Sequence, residues 1–476
     1  MEQLVEDYLR ITDPILEDSS VKQIYYTEID ADNINSINNQ TEITFTFQNT
    51  DQWMLPSKSY LIIEGQIVDN NSAVLNAVNQ NITIGFNNNG YMQMFDQAKY
   101  ILGTQQIEYF QNCGITTLIH NLLVKSKNFQ GLDMMWKLDE GVYNISDPTT
   151  GTNYVNRGFS RRRSTLHNDI GVIDPNRFRF RGIIPLSHVF NFCQDYKKVV
   201  YGMQHRITFQ RRTDYSALIG QVVDTPAAGG GVLANAINID PTFTPTAAGI
   251  IANTAYHILL TKFKWAMPIV MPNDEQKLTL SRIIEDKTPI LINFLNKRYE
   301  TPLSVTANAS QFNWKLQLTS GYEKPRFVVV SFQDSNAVQN PPANHTGNYS
   351  KFYRPDISNA YALVNGIRHP YSNQDSSNTS VITKFYRFYK DFRMNYLNEE
   401  NDDPAMDLNQ FNNNPIYVFD ISKQEENFKH TSIDVTLQFN FNTVYGQILN
   451  VYAITYFDSI FQLTSDGTKQ AISLYN

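Results

Sequence analysis

The chain has 476 residues, 42% hydrophobic and 13% aromatic, enough to fill two or three cores and too many for one. Charged residues make up only 18% and the formal net charge is −7, which argues against a protein that wraps nucleic acid through a basic face. Two cysteines, Cys113 and Cys193, exclude a disulfide framework and a thiolate zinc site, and read as small core residues.

The opening MEQLVEDYLRITDPILEDSS is acidic and lacks an apolar core segment, so no signal peptide is expected. No later run is long and apolar enough for a membrane-crossing helix. Leu4, Val5, Tyr8 and Leu9 share one helical face and Pro14 limits its length. Residues 1–34 therefore read as an arm that packs either on its own subunit or on a neighbouring one. From Thr41 the period changes to two: Ile43, Phe45 and Phe47 alternate with Glu42, Thr44, Thr46 and Gln48, as in a half-buried antiparallel strand. Trp53 to Val68 carries a turn at Pro56 and a long β run from Tyr60. FDQAKYILGTQQIEYFQNCGITTLIHNLL predicts a hairpin around Gly103 and a helix from about Ile115. Arg177 to Phe190 and the segment ending near Arg212 are further strand patterns.

Residues 221–254 are poor in charge and rich in Ala, Gly, Asn, Thr and Pro, which fits either a flexible linker or an ordered surface loop. A second strand series starts at Tyr256. Phe312 to Leu318 and Arg326 to Phe332, separated by Ser320 and Gly321, predict a β-hairpin. The acidic run from Glu399 to Asp403 reads as a solvated loop. Ile433, Val435, Leu437, Phe439 and Phe441 interleave with polar residues as the clearest single strand. The last, ILNVYAITYFDSIFQL, is apolar on both sides.

The halves share a plan. Trp53, Pro56 and Tyr60 to Ile63 match Trp314, Pro325 and Phe327 to Val330, and a glycine-centred hairpin follows in each, at Gly103 and Gly366. Two copies of one all-β unit would need about sixteen strands.

The order of these segments resembles double jelly-roll major capsid proteins, most closely those of Polinton-like viruses and adintoviruses. The resemblance spans more than 350 residues. It rests on KWAMPIVMPNDEQKLTL (Lys264 to Leu280), YEKPRFVVVSFQ (Tyr322 to Gln333), NAYALVNGIRHPY (Asn359 to Tyr371) and, in the first half, IEYFQNCGITTLIHNLL. The matching structural positions are Trp265, Pro268, Glu323, Lys324, Pro325 and Arg326. Asn112-Cys113-Gly114 departs from the family, where proline more often precedes the glycine. The resemblance implies an all-β fold with few short helices and two eight-stranded antiparallel jelly rolls in tandem, 35–260 and 261–476, with Lys264 to Leu280 opening the second. It also implies a homotrimer of pseudo-hexagonal outline, an icosahedral shell, penton and minor capsid proteins as partners, and a place in the virion.

Nothing in the sequence points to catalysis or to a cofactor. P-loop, dinucleotide and nucleophile-elbow motifs are missing, and the eight histidines are scattered without HxH or HExxH. That disfavours a bicupin enzyme, whose metal needs close histidines; His188 and His205 are the pair that could be proposed. A carbohydrate-binding β-sandwich or spike is the other rival, served by exposed Tyr and Trp. The dense basic run Arg161-Arg162-Arg163 fits either a solvated, salt-bridged loop or a local contact with packaged DNA.

Overall fold

The computed structural model describes residues 20–32, 37–38, 41–48, 51–68, 82–139, 157–166, 179–212, 218–223, 234–236, 238–239, 255–316, 324–335, 348–375, 382–397, 403–423, 433–465 and 470–474. The helical face at Leu4 to Leu9, Ser320 and Gly321, Glu323, and the acidic run up to Asp402 lie outside these residues.

Sixteen strands build two barrels, and the shorter strands Trp53–Met54, Leu303–Val305 and Gln470–Leu474 add to their sheets. The first holds β1 (Val21–Asp30), β2 (Glu42–Phe47), β3 (Tyr60–Val68), β4 (Phe95–Leu102), β5 (Gln105–Gln111), β6 (Arg179–Pro185), β7 (His205–Arg211) and β8 (Ala255–Pro272). The second holds β9 (Ile290–Tyr299), β10 (Gln311–Lys315), β11 (Pro325–Asp334), β12 (Ile357–Val364), β13 (Ile367–His369), β14 (Tyr417–Asp420), β15 (Val435–Phe441) and β16 (Leu449–Ser465). The sheets of the first barrel run β1-β8-β3-β6 and β2-β7-β4-β5; those of the second run β9-β16-β11-β14 and β10-β15-β12-β13. Adding eight to each strand number of one barrel gives the order of the other. Neighbouring pairs along these sheets are antiparallel.

Alternation sets which face is buried. Ile43, Phe45 and Phe47 on β2 and Val435, Leu437 and Phe439 on β15 are buried, while the residues between them stay partly or fully exposed. The inward aromatic side chains then meet across each barrel. Phe45 lies edge-on to Phe263 at 5.0 Å and Phe47 edge-on to Trp265 at 4.8 Å; in the second barrel Phe332 meets Phe439 at 5.3 Å. Both cysteines are free and buried.

The two glycine hairpins form as expected. Leu102 pairs with Gln105 around Gly103, and Val364 pairs with Ile367 around Asn365 and Gly366. Gly103 (φ +61°) and Gly366 (φ +84°) occupy the left-handed region that a two-residue hairpin turn demands.

Other expectations change. The predicted hairpin between Phe312–Leu318 and Arg326–Phe332 does not form. β10 pairs with β15, whereas β11 pairs with β16 and β14, so the chain switches sheets between them. Val21–Asp30, expected in the arm, is a strand of the first sheet paired with β8. Residues 261–272 do not open the second barrel: β8 runs unbroken from Ala255 to Pro272 between β1 and β3. Within 221–254 the described pieces are strands, Ala234–Ala236 pairing with Leu218–Val223 and Asn238–Ile239 with β8.

Six helices are described. α1 (Cys113–Val124) is buried along its whole length. α2 (Arg157–Ser164), α3 (Asn191–Asp195), α5 (Thr383–Leu397) and α6 (Leu408–Asn413) sit on connections between strands. α4 (Asp274–Glu285) links the barrels and starts at an Asn273 cap that accepts from the Gln276 N–H. Because neighbouring strands alternate in direction, connections leave each barrel alternately at its two ends. The long ones, 69–94, 112–178, 212–254, 335–356 and 370–416, all leave at one end; the turns at Gly103 and Gly366 and the α4 link lie at the other.

Candidate functional site: the seam between the barrels

The densest set of buried polar groups lies where β5, α1 and α3 of the first barrel meet β9 and β16 of the second. The Lys297 ammonium sits 3.2 Å from the Glu108 carboxylate, with both side chains fully buried. Lys297 also donates to the Val189 carbonyl at 2.6 Å and to Asn191 Oδ1 at 2.7 Å, and it lies over the Phe110 ring. Glu108 accepts the backbone N–H groups of Asn191 and Phe192 at 3.1 and 2.9 Å, the first turn of α3. Every charge at this point is thus paired and hydrogen-bonded, the condition under which a buried ion pair is tolerated.

Side chain to backbone bonds extend the seam. Asn191 Nδ2 donates to the Leu295 carbonyl at 2.7 Å, and the Leu295 N–H returns a bond to Asp195 Oδ2 at 3.0 Å. Asn296 donates to the Ile107 carbonyl and to Ser459 Oγ, both at 3.2 Å. The Tyr396 hydroxyl on α5 donates to Asp195 at 2.7 Å, and His120 on α1 bonds Tyr456 and Gln194 at 3.1 and 3.0 Å. Tyr389 donates to the Leu122 carbonyl at 2.6 Å, and Arg393 to that of Lys125 at 2.7 Å. Further along, Asn348 donates to Asp139 Oδ2 at 2.8 Å. Most of these bonds cross between the barrels, and several run from a side chain of one to a backbone group of the other, which fixes register as well as contact.

Burial dominates the electrostatics. It lowers the Lys297 ammonium from its usual range, against the pull of Glu108. It drives His120 and His188 well below the ordinary histidine value, so both are neutral. It pushes the Asp195 carboxyl up to about 6, opposed by the hydrogen bonds from Tyr396 and Leu295. A cleft of about 670 Å³ opens beside Asp195 and Tyr396, with Arg326, Asp420 and Asp458 on its walls. Glu108, Asn191, Asp195, His120, Tyr389 and Arg393 each bond a partner in the other barrel, so the arrangement holds two bodies together.

Residues 249–461 match the family model of the double jelly roll-like domain. No curated protein sequence matches the chain. Among solved structures, a chain of the Sputnik virophage shares 11% identity at a TM-score of 0.58, covering 100% of this chain and 93% of that one. The mavirus major capsid protein gives 11% and 0.54, covering 100% and 96%. A chain of the PBCV-1 virus capsid gives 10% and 0.51, covering 98% and 99%.

The fold is a double jelly roll.

Within the double jelly roll, the residues singled out from the sequence fall in different places. Trp265 is buried in the first barrel, and Pro268 lies on β8, where its carbonyl accepts the Leu55 N–H at 3.0 Å. Pro325 starts β11, and Arg326 Nε binds Asp458 Oδ2 on β16 at 2.7 Å. Lys324 precedes that strand outside any element, and Glu323 lies outside the described residues.

The three arginines of the basic run separate. Arg161 is exposed, and the Arg163 side chain is outside the described residues. Arg162 is buried: it donates to the Phe86 carbonyl at 3.0 Å, to the Lys137 carbonyl, and to Asp139 Oδ1 at 2.6 Å. It holds α2 to the barrel and is not available to DNA.

His188 and His205 do not converge on an ion. His188 bonds Asn89 Oδ1 at 3.1 Å, and His205 bonds the Tyr100 hydroxyl at 2.8 Å, its pKa lowered by burial to about 3. Among the described residues no group of three or more His, Cys, Asp or Glu side chains is placed to hold a metal. Sequence reading missed the seam. Its one signal was Lys297, which with Arg298 puts charge inside the otherwise uncharged strand run ILINFLNKRY.

Proposed function

We propose that this chain is a major capsid protein, a structural rather than catalytic molecule that assembles as homotrimers of pseudo-hexagonal outline and tiles an icosahedral shell. The observation that carries this reading is the pair of eight-stranded barrels with one strand order, locked side by side by the Glu108–Lys297 seam. A rigid two-barrel brick is a unit from which three copies make six barrels. The capsid chains of similar fold support it. The quoted motifs support placing it with the capsid proteins of Polinton-like viruses and adintoviruses, with penton and minor capsid proteins as further partners in the virion.

The strand pairing supports a division of the chain between Pro272 and Ile290, in the segment that carries α4. The end bearing the long connections, including 221–254 and 334–356, would form the outer surface and part of the clasp between subunits. Sedimentation of the purified full chain at micromolar concentration, followed by electron microscopy, tests the proposal. Trimers and shells are expected; a persistent monomer without particles overturns it.

A further inference from the structure

The two barrels are alike, but equivalent faces are covered differently. On β9 the side chains pointing away from the barrel interior include Leu295, Lys297 and Tyr299, and the first barrel buries them; Leu295 and Tyr299 are each 8% exposed. The equivalent strand of the first barrel is β1. Its outward side chains include Ile24 and Tyr26, 44% and 46% exposed. Tyr26 packs against Tyr60 of β3 at 5.3 Å on the same face, and Ile183 of β6 is also exposed there. The half of this face around Ile24, Tyr26 and Tyr60 is thus apolar, aromatic and open in the first barrel where its counterpart in the second is closed, and the other half is charged, with Lys264 paired to Glu28 and Asp30.

What closes the counterpart is the edge strand β5 together with α3 and the residues just before it: Glu108 and Ile107 on one side, Val189, Asn191 and Asp195 on the other. The equivalent edge in the second barrel is β13, and it too is bare. Ile367 on β13 is 54% exposed and Tyr371, just beyond it, is 91% exposed. One chain therefore carries one satisfied edge-on-face contact, one vacant face and one vacant edge.

We propose that the outward face of β1, β8 and β3 docks the β12–β13 edge of a second copy of this chain, with Ile24, Tyr26 and Tyr60 receiving Ile367 and Tyr371. The contact between copies repeats the step already made within the chain. It is head-to-tail, and such a step closes into a ring only if its rotation fits. The ten residues of β1 at about 3.3 Å each, with three strands about 4.8 Å apart, make a face on the order of 400–500 Å². Two partners then bury roughly 1,000 Å² per contact, the least that a biological interface needs, and each copy in a ring makes two such contacts. The inference rests on the trimer reading and names its surface.

Tyr26→Glu and Ile367→Glu, each in the full chain, test it by sedimentation. Both side chains are exposed in the single chain, so circular dichroism and thermal unfolding of the protomer should stay unchanged. The concentration at which trimers form should rise by about 100-fold or more, because a charge would be buried against an apolar face. A second measurement uses Tyr26→Cys mixed with Ile367→Cys under mild oxidation. The native thiols, Cys113 and Cys193, are buried. A disulfide linking two chains supports the contact even if a glutamate variant fails to fold. Trimers that persist in both glutamate variants, with no cross-link, overturn the inference and leave the trimer reading intact. A wild-type chain that stays monomeric overturns the trimer reading and takes the inference with it.

Discussion

Glu108 and Lys297 stand 3.2 Å apart, one from each barrel, with no solvent access to either. Removing either leaves the other as a buried charge without its counter-charge, held only by neutral hydrogen-bond partners.

Lys297→Met should therefore lower stability by about 3–5 kcal/mol. Differential scanning calorimetry should also change shape. The wild type is expected to unfold in one transition and the variant in two, as the barrels lose their coupling. Glu108→Gln should do less harm, because its amide oxygen still accepts from Asn191 or Phe192. Equal unfolding midpoints for wild type and Lys297→Met would show that the seam is held by packing alone.

Asp195 gives a pH signature of opposite sign to the histidines. Its folded pKa is raised from 3.8 to about 6, so burying its charge opposes folding above about pH 6, and that penalty is relieved as pH falls toward 4. His120 and His188 have folded values below 6.5, so the stability tied to their neutral forms is lost as pH falls through 6.5. Total stability should decline on acidification. Asp195→Asn should make that decline steeper, by removing the opposing contribution between pH 6 and 4. Parallel urea midpoints for the two proteins across that window would refute it.

Arg162 and Arg161 should behave oppositely although they are adjacent. Arg162→Ala takes the counter-charge from buried Asp139, which keeps only its bond from Asn348, and a donor from two carbonyls, and is expected to cost about 3–5 kcal/mol in chemical denaturation. Arg161→Ala should change stability by no more than about 0.5 kcal/mol. Neither should alter the weak, salt-sensitive retention on DNA expected of a chain with net charge −7. Duplex binding that survives 200 mM salt and disappears in Arg161→Ala would reverse that view.

Gly366→Ala places a side chain at φ +84° with no neighbouring atom in its way, so backbone strain alone acts. A loss of about 1 kcal/mol is expected from the same denaturation experiment. A neutral result would mean that the turn relaxes to another type.

Local signals in the sequence identified elements well and partners poorly. Ile43 to Phe47 and Ile433 to Phe441 declare their buried faces because their contacts repeat every second residue. The Asn365-Gly366 turn declares its hairpin because both partners are within a few residues. The supposed hairpin at Phe312 to Phe332 failed for the opposite reason: β10 and β11 each find a partner more than a hundred residues away, and no short-range pattern encodes that choice. β8 was divided at 260 because its first half follows a loop-like tract and its second begins a recognisable motif, though the strand itself is continuous. Nor does a row of three arginines reveal that the middle one points inward.

The place of β8 and β16 also dictates an order of manufacture. Each is the last of its barrel's eight numbered strands in the chain, yet each lies between the first and third. On the ribosome the first barrel must stay open, with β1 and β3 unjoined, until residue 272 has left the exit tunnel. The second stays open until residue 465 has followed. A nascent chain therefore exposes two unpaired strand edges in each barrel until that strand arrives, and a product truncated before β16 would keep a gap at the middle of a sheet.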